Sequence, residues 1–176
     1  MVFFTSDTHF CHEGILQYRP QFTSLDAMHD CIVSNWNQKV KKGDVVYHLG
    51  DFALTNDKND PRPAQLLKQL NGQVFLICGN HDRKVVKCAG FVWVGDYKRI
   101  KANGQAIVLS HYPFRSWHGM HKGAWHLHGH SHLNLFDIGG LIMDICIERD
   151  YFLLSFDEVA EYMKGRQFVA VDHHKI

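Results

Sequence analysis

Apolar residues along the chain fall into short dense runs that alternate with longer periodic stretches, the pattern of a chain mixing strands with helices. "VFFTS" (2–6), "VVYHLG" (45–50), "QVFLIC" (73–78), "AWHLHG" (124–129) and "LIMDICI" (141–147) read as strands, the first of them buried on both faces. "FVWVGDYKRIKANGQAIVLS" (91–110) reads as strands joined by a turn at Asn103-Gly104. Between Leu25 and Val40 the apolar positions Leu25, Met28, Ile32, Trp36 and Val40 recur at three and four, which predicts a helix with one buried stripe, closed by Gly43-Asp44. A second, short helix passes through Leu66, Leu67 and Leu70 after the polar, proline-punctuated loop "TNDKNDPRP" (55–63). Ser155 and Glu158 form a capping box ahead of a last helix reaching about Lys164.

Five of the apolar runs stop at residues able to hold a metal ion. They deliver Asp7 and His9, then Asp51, then Asn80 and His81, then His111, and finally His130 and His132. In layered α/β proteins ligands bind beyond the carboxyl ends of strands, so neighbouring strands pointing one way would bring this set into one pocket. Gly50, Gly79 and Gly129 precede three of these sites, which suits turns where backbones approach closely.

Composition bounds the reading. The 176 residues are most simply one domain over the whole chain, with a core of two or more layers and a tail fraying from about residue 166. A formal charge of +1 gives no basic field for gripping long nucleic acid. The start, "MVFFTSDTHF", lacks the basic region of a signal peptide, and no apolar run is long enough to span a membrane. Five cysteines, at 11, 31, 78, 88 and 146, include no C-x-x-C pair and read as reduced, mostly packed thiols of a cytoplasmic protein. Histidine stands out at 14 residues.

A set of carboxylate, imidazole and amide oxygen without thiolate suits Mn, Fe, Zn, Co or Ni and is large enough for two ions. A two-metal site holds its ions roughly 3.5–4 Å apart, bridged by a carboxylate and a water-derived hydroxide that attacks phosphorus in line.

The blocks "SDTHF" (6–10), "LGDF" (49–52), "GNHD" (79–82), "SHYP" (110–113) and "GHSH" (129–132) resemble, in order, those of the calcineurin-like metallophosphoesterase superfamily. The wording "SDTHFCHEGIL", "NWNQKVKKGDVVYHLGDF" and "HYPFRSWHG" is similar to a small branch from bacteria and phages. "GDFALTN" stands where the protein phosphatases of the superfamily carry Gly-Asp-x-Val-Asp-Arg-Gly.

The resemblance implies an α/β fold, a four-layer α-β-β-α sandwich with a dinuclear metal site at the C-terminal ends of its strands. By position it assigns Asp7, His9 and His132 to a first ion, Asn80, His111 and His130 to a second, and Asp51 to both. His81 becomes the catalytic imidazole at the phosphate and leaving oxygen, and Asp82 the carboxylate that orients His81. The implied cofactors are two divalent transition-metal ions, Mn2+ before Fe, Ni, Zn or Co. The implied activity is hydrolysis of a small phosphoester, a nucleotide among the candidates, with a diester favoured over a monoester. A nuclease or a phosphomonoesterase on the same site is the alternative, and a non-catalytic metal-containing binding module is the alternative of another class.

His12 and Arg115 are candidate substrate contacts, Arg115 as a clamp on a phosphate oxygen. Trp117, His118 and His121 line either a ring-binding wall or a mobile loop. His48, His126 and His128 are expected as packed side chains, His29 as a satisfied or solvated one, Trp36 as core and Asn37 as a cap. His173 and His174 are expected to face solvent.

Overall fold

Parallel register sets the architecture. The computed structural model describes residues 1–82, 90–135 and 139–170. β1 (Val2–Thr5), β2 (Val45–His48), β3 (Gln73–Ile77) and β4 (Trp93–Gly95) run parallel in one sheet, and the two-residue β9 (Leu154–Ser155) adds antiparallel to β1, giving the order β4-β3-β2-β1-β9. β5 (Tyr97–Ala102), β6 (Gln105–Ser110), β7 (Trp125–His128) and β8 (Ile142–Asp144) form a second sheet in that order, antiparallel only between β5 and β6. The β5–β6 turn uses Asn103 and Gly104 at φ 47° and 85°, as the Asn-Gly pair requires. The segment 91–110 therefore serves both sheets, with Asp96 carrying the chain from one to the other.

Alternation within the strands separates two apolar layers. Phe3, Val46, Val74 and Leu76 face α1 (Leu25–Lys39) and α2 (Arg62–Gln69), where they meet Met28, Ile32, Trp36, Leu66 and Leu67. Phe4, Leu49 and Ile77 face the second sheet and pack with Ile107, Leu109, Leu127 and Met143, closed at one end by Val159 and Met163 of α3 (Phe156–Met163). Burying each such side chain stabilises by about 1.5–3 kcal/mol. Two mixed sheets flanked by helices make this the expected α/β sandwich. On the outer face of the second sheet, Trp117 and the 3₁₀ turn Met120–Lys122 pack over Val108 and Ile142.

Local signals account for the helix ends. Ser24 caps α1, accepting from the backbone N–H of Ala27 at 3.1 Å. Asn37 closes α2 from a distance, donating to Gln69 C=O and accepting from Asn71 N–H, both at 2.8 Å. The Ser155–Glu158 capping box opens α3. Of the tail from residue 166, Arg166 donates to Gly140 C=O at 2.7 Å and Phe168 packs beside the Trp117 cluster, while His173 and His174 lie outside the described residues. No helix among the described residues is long and apolar enough to cross a membrane.

The remaining histidines mostly pack. His48 meets Thr8 Oγ1 at 3.0 Å, His29 accepts from Cys11 N–H at 3.0 Å, and His128 donates through Nδ1 to Gly129 C=O at 2.9 Å. Trp117 is core rather than a ring-binding wall, its indole N–H donating to Ala124 C=O at 2.8 Å. Cys11 and Cys146 are buried free thiols, Cys31 is a half-buried one, Cys78 is half-buried at the end of β3, and Cys88 lies outside the described residues.

Candidate metal centre

β1, β2 and β3 end level with one another, Thr5 against His48 and His48 against Leu76, so the segments that follow leave from one edge. The first two zip together through Asp7 N–H to Gly50 C=O and His9 N–H to Asp51 C=O, both at 2.9 Å. The second sheet reaches the same edge, where His130 N–H donates to the Asp7 carboxylate at 3.1 Å and Gly129 N–H to His111 C=O at 3.0 Å. Asp7, His9, Asp51, His130 and His132 all sit at positive φ, between 48° and 68°. Holding non-glycine residues there costs roughly 1–3 kcal/mol each, strain that is characteristic of functional sites.

The glycines ahead of these turns are needed for contact. A Cβ on Gly79 would lie 2.2 Å from Asp51 Oδ1, and one on Gly129 would lie 2.6 Å from Asp7 Oδ2. Any side chain at either position would push a carboxylate out of the cluster.

Three groups of ligating atoms result, each within 4.8 Å: Asp7, His9 and His132; His9, Asp51 and His81; and Asp51, His111 and His130. Asp51 Oδ2 lies 3.8 Å from His9 Nε2, 3.5 Å from His111 Nε2 and 3.8 Å from His81 Nε2, and it stands between the outer groups. Asn80 joins the third group with its Oδ1 3.1 Å from His111 Nε2. His12 is brought in as well, its ring 5.2 Å from that of His9 and 5.5 Å from that of His81. A cleft of about 460 Å³ opens over this side, lined by His9, His12, His81 and His132 and by Ile15 and Tyr18.

The chemistry of these atoms fits cations. Burial holds His9 neutral, its pKa lowered to about 2. His132 donates through Nδ1 to Glu148, which turns its Nε2 lone pair towards His9 Nε2, 3.3 Å away. His111 donates through Nδ1 to Leu49 C=O at 2.8 Å, so its Nε2 also faces inward, toward the oxygens of Asn80 and Asp51. Acceptor atoms thus crowd with too few donors among them, which a proton or a metal ion relieves. Burial pushes Asp7 up to about 6, with the Ser6 hydroxyl pulling against it. Burial also opposes ionisation of Asp51, yet the His111 hydrogen bond and charge hold that carboxyl well below its ordinary value. The Glu148 hydrogen bond raises His132. A fourth group, His132, Cys146 and Glu148, shares His132 with the first. Burial pushes the Cys146 thiol far up, which disfavours the thiolate a metal needs.

Two sequence expectations change. Asp82 makes its described hydrogen bonds with backbone rather than with the His81 ring: its carboxylate accepts from the N–H groups of Gly79, Asp51 and Phe52, each at 2.8 Å. It ties the Gly-Asn-His-Asp turn to the Gly-Asp turn. Arg115 is exposed and is not among the described residues that line the cleft beside His9, His12, His81 and His132.

Sequence reading missed three participants. Tyr112 covers the outer side, its ring 4.6 Å from that of His130 and its hydroxyl 3.4 Å from Asn80 Oδ1. Its place directly after His111 was the available signal. Arg19 and Glu148 lie behind the cluster, paired at 2.8 Å across 129 positions, and nothing local marks them.

The sequence pattern of the calcineurin-like phosphoesterases matches residues 1–174. An uncharacterised protein of Methanocaldococcus jannaschii is 36% identical over 138 residues, covering 77% of this chain and 72% of its own length. The gene 66 protein of Mycobacterium phage D29 is 29% identical over 157 residues, covering 74% of this chain and 78% of its own. Among solved structures, a protein of unknown function from Aquifex aeolicus is similar with a TM-score of 0.74 at 28% identity, over 92% of this chain and 98% of that one. A structure described as a novel archaeal phosphodiesterase shares the fold at a TM-score of 0.50 and 18% identity, over 82% and 81% of the two chains.

Proposed function

The chain belongs to the calcineurin-like phosphoesterase family, and from that premise we propose that it is a two-metal phosphodiesterase acting on a small organic phosphodiester. The observation carrying this reading is the position of Asp51, whose Oδ2 lies 3.8 Å from His9 Nε2 of the first outer group and 3.5 Å from His111 Nε2 of the other, to which Asp51 itself belongs. Asp7, His9 and His132 would hold one ion, Asn80, His111 and His130 the other, with Asp51 shared. The mixed oxygen and nitrogen donors suit Mn2+, Fe, Ni, Zn or Co, and Mn2+ is the ion proposed first. Bound together, the two ions would supply Lewis acidity and an activated water nucleophile.

The chain's own groups do the rest. His81 is about one-third exposed, and its Nε2 stands at the lip of the cluster, 3.8 Å from Asp51. There it reaches a phosphate oxygen, and as the ester bond breaks it gives its proton to the departing oxygen. His12 lies beside it and supplies a second contact to the phosphate. Beyond them Ile15 and the exposed ring of Tyr18 offer an apolar wall for an organic substituent. The volume of the cleft is in the range of small-molecule sites, and the wall favours a diester or a nucleotide over a bare monoester. The near-neutral charge counts against long nucleic acid, and the complete ligand set counts against a binding module without turnover. Free thiols at Cys11, Cys31 and Cys146 support a cytoplasmic setting.

The test is hydrolysis of a chromogenic phosphodiester beside the matching monoester, on metal-stripped protein with Mn, Ni, Zn, Co or Mg restored singly. Metal-dependent turnover faster on the diester is expected. Faster turnover of the monoester would make the protein a phosphatase. No turnover in protein that binds two ions would leave the binding module.

A further inference from the structure

Among the described residues, one ligand histidine has a carboxylate behind it. His132 lies on a loop beyond β7, at φ 48°, with its side chain about one-quarter exposed. Leu133 N–H donates to Asp144 Oδ2 at 3.0 Å and fixes the loop backbone, but not the rotation of the ring. Glu148 does that, accepting from Nδ1 at 2.9 Å. Its own turn, Ile147–Arg149, is attached to the end of β1 through Ile147 N–H to Ser6 C=O at 3.2 Å.

Arg19 then locks Glu148. It is wholly buried, and its Nε–H donates to the same Oε1 at 2.8 Å. Its other nitrogens donate to Asp7 C=O at 2.6 Å and Thr8 C=O at 3.0 Å, and the Tyr151 ring lies 5.7 Å from its Cζ. One planar guanidinium thereby fixes the backbone of Asp7, from the first sheet, relative to the carboxylate that holds His132, from the second. The other outer group is built differently. His111 leans on a neutral carbonyl, and His130 is exposed beside Tyr112.

We propose that Glu148, locked by Arg19, is a positioning residue for His132, and that the pair makes the Asp7–His9–His132 site the tighter of the two metal sites. The proposal rests on the reading that these three residues hold an ion. An anionic partner fixes the tautomer with its proton on Nδ1 and makes Nε2 a stronger donor to a metal; losing such a partner typically costs about 10–100-fold in metal affinity.

The experiment is Mn2+ titration of the metal-stripped protein by calorimetry, with bound ions counted by electron paramagnetic resonance. The wild type is expected to show two steps of unequal affinity, and His130→Ala should remove the weaker. Glu148→Gln keeps the shape and an acceptor oxygen but loses the charge, so the tighter step should weaken about tenfold, and Glu148→Ala should weaken it toward a hundredfold. The weaker step should move by less than about a third of that. Nitrogen shifts of His132 should report the Nδ1–H tautomer in the metal-free wild type and a tautomer mixture in Glu148→Ala. If Glu148→Ala does not fold, the Gln variant decides the matter alone. Variants that fold and bind both ions with wild-type affinity would overturn the proposal and leave the pair a structural ion pair. A wild type that binds no ion would instead overturn the metal assignment beneath it.

Discussion

Asp82 lies directly beneath Asp51, accepting its backbone N–H at 2.8 Å and that of Phe52 at the same distance. A third bond, from Gly79 N–H, closes the clamp on its own turn. Burial pushes this carboxyl up to about 6, against the pull of the N–H donors. Asp82 therefore holds Asp51 where two ligand groups meet, and its effect on His81 is indirect.

Asp82→Ala should accordingly behave as a stability variant. It leaves three buried N–H groups without their acceptor, at about 1–3 kcal/mol for each that water does not reach. Urea unfolding of the metal-free protein should show a loss of several kcal/mol. An unchanged midpoint, with only turnover reduced, would return Asp82 to the role of orienting His81.

His81→Ala should divide metal from chemistry. The ring is at the lip of the cluster and is assigned to the phosphate, while its backbone N–H, at 3.0 Å from Asp51 Oδ1, helps to hold the centre. That N–H survives in alanine, so two ions should still bind and the fold should persist. Turnover on a diester with a poor leaving group should fall by about 10²–10⁴-fold. A good leaving group needs less help, and the loss should shrink. Full activity on the poor leaving group would mean that the proton comes from elsewhere.

These variants also mark what one sequence could reveal. The convergence of the candidate ligands was legible because each ends an apolar run, and Gly79 and Gly129 stand where a Cβ would strike Asp51 or Asp7. The Asn103-Gly104 turn and the Ser155–Glu158 box were legible because each is a local arrangement with its own chemistry. The direction of a side chain within a tight turn is not local. The target of Asp82 was misread because the N–H groups of Asp51 and Phe52 arrive from a different strand. Arg19 and Glu148 were missed for the same reason, since a charged residue reads as solvated until its partner is known. The transfer of the chain between sheets at Asp96 depends on which core takes Trp93 and Ile100, and periodicity carries no such choice.

Gly79→Ala tests the close approach at the site. Its Cβ would fall 2.2 Å from Asp51 Oδ1 and 2.5 Å from Asp51 N, distances that force backbone or carboxylate to move. Overpacking of this kind costs about 1–3 kcal/mol, and here it also displaces the shared ligand. The expected outcome is loss of both ions by elemental analysis together with a lower melting temperature. Gly43→Ala is the control, because a Cβ there meets nothing within 4 Å. Two ions retained in Gly79→Ala would show that Asp51 can shift without cost to binding.

His126 gives the fold an acid sensitivity away from the metal ligands. Its Nε2 accepts from Phe114 N–H at 3.0 Å, and its Nδ1 donates to Val108 C=O at 3.2 Å. Phe114 stacks on the ring at 5.0 Å. Both nitrogens are satisfied only in the neutral form, and burial lowers the pKa from 6.5 to about 3. Below pH 6.5 the unfolded chain gains a proton at this ring, while the folded chain gains none until about pH 3. The stability contributed by the neutral ring is thus complete above pH 6.5 and is lost as pH falls toward 3, with a slope of up to about 1.4 kcal/mol per pH unit. Urea unfolding of the metal-free protein between pH 7 and about 4.5 should show that slope, added to those of other buried groups. In His126→Gln, which cannot take up a proton, the slope should be shallower by close to one proton. Equal slopes in the two proteins would mean that the folded state admits a charged His126, and that the Phe114 contact gives way before the fold does.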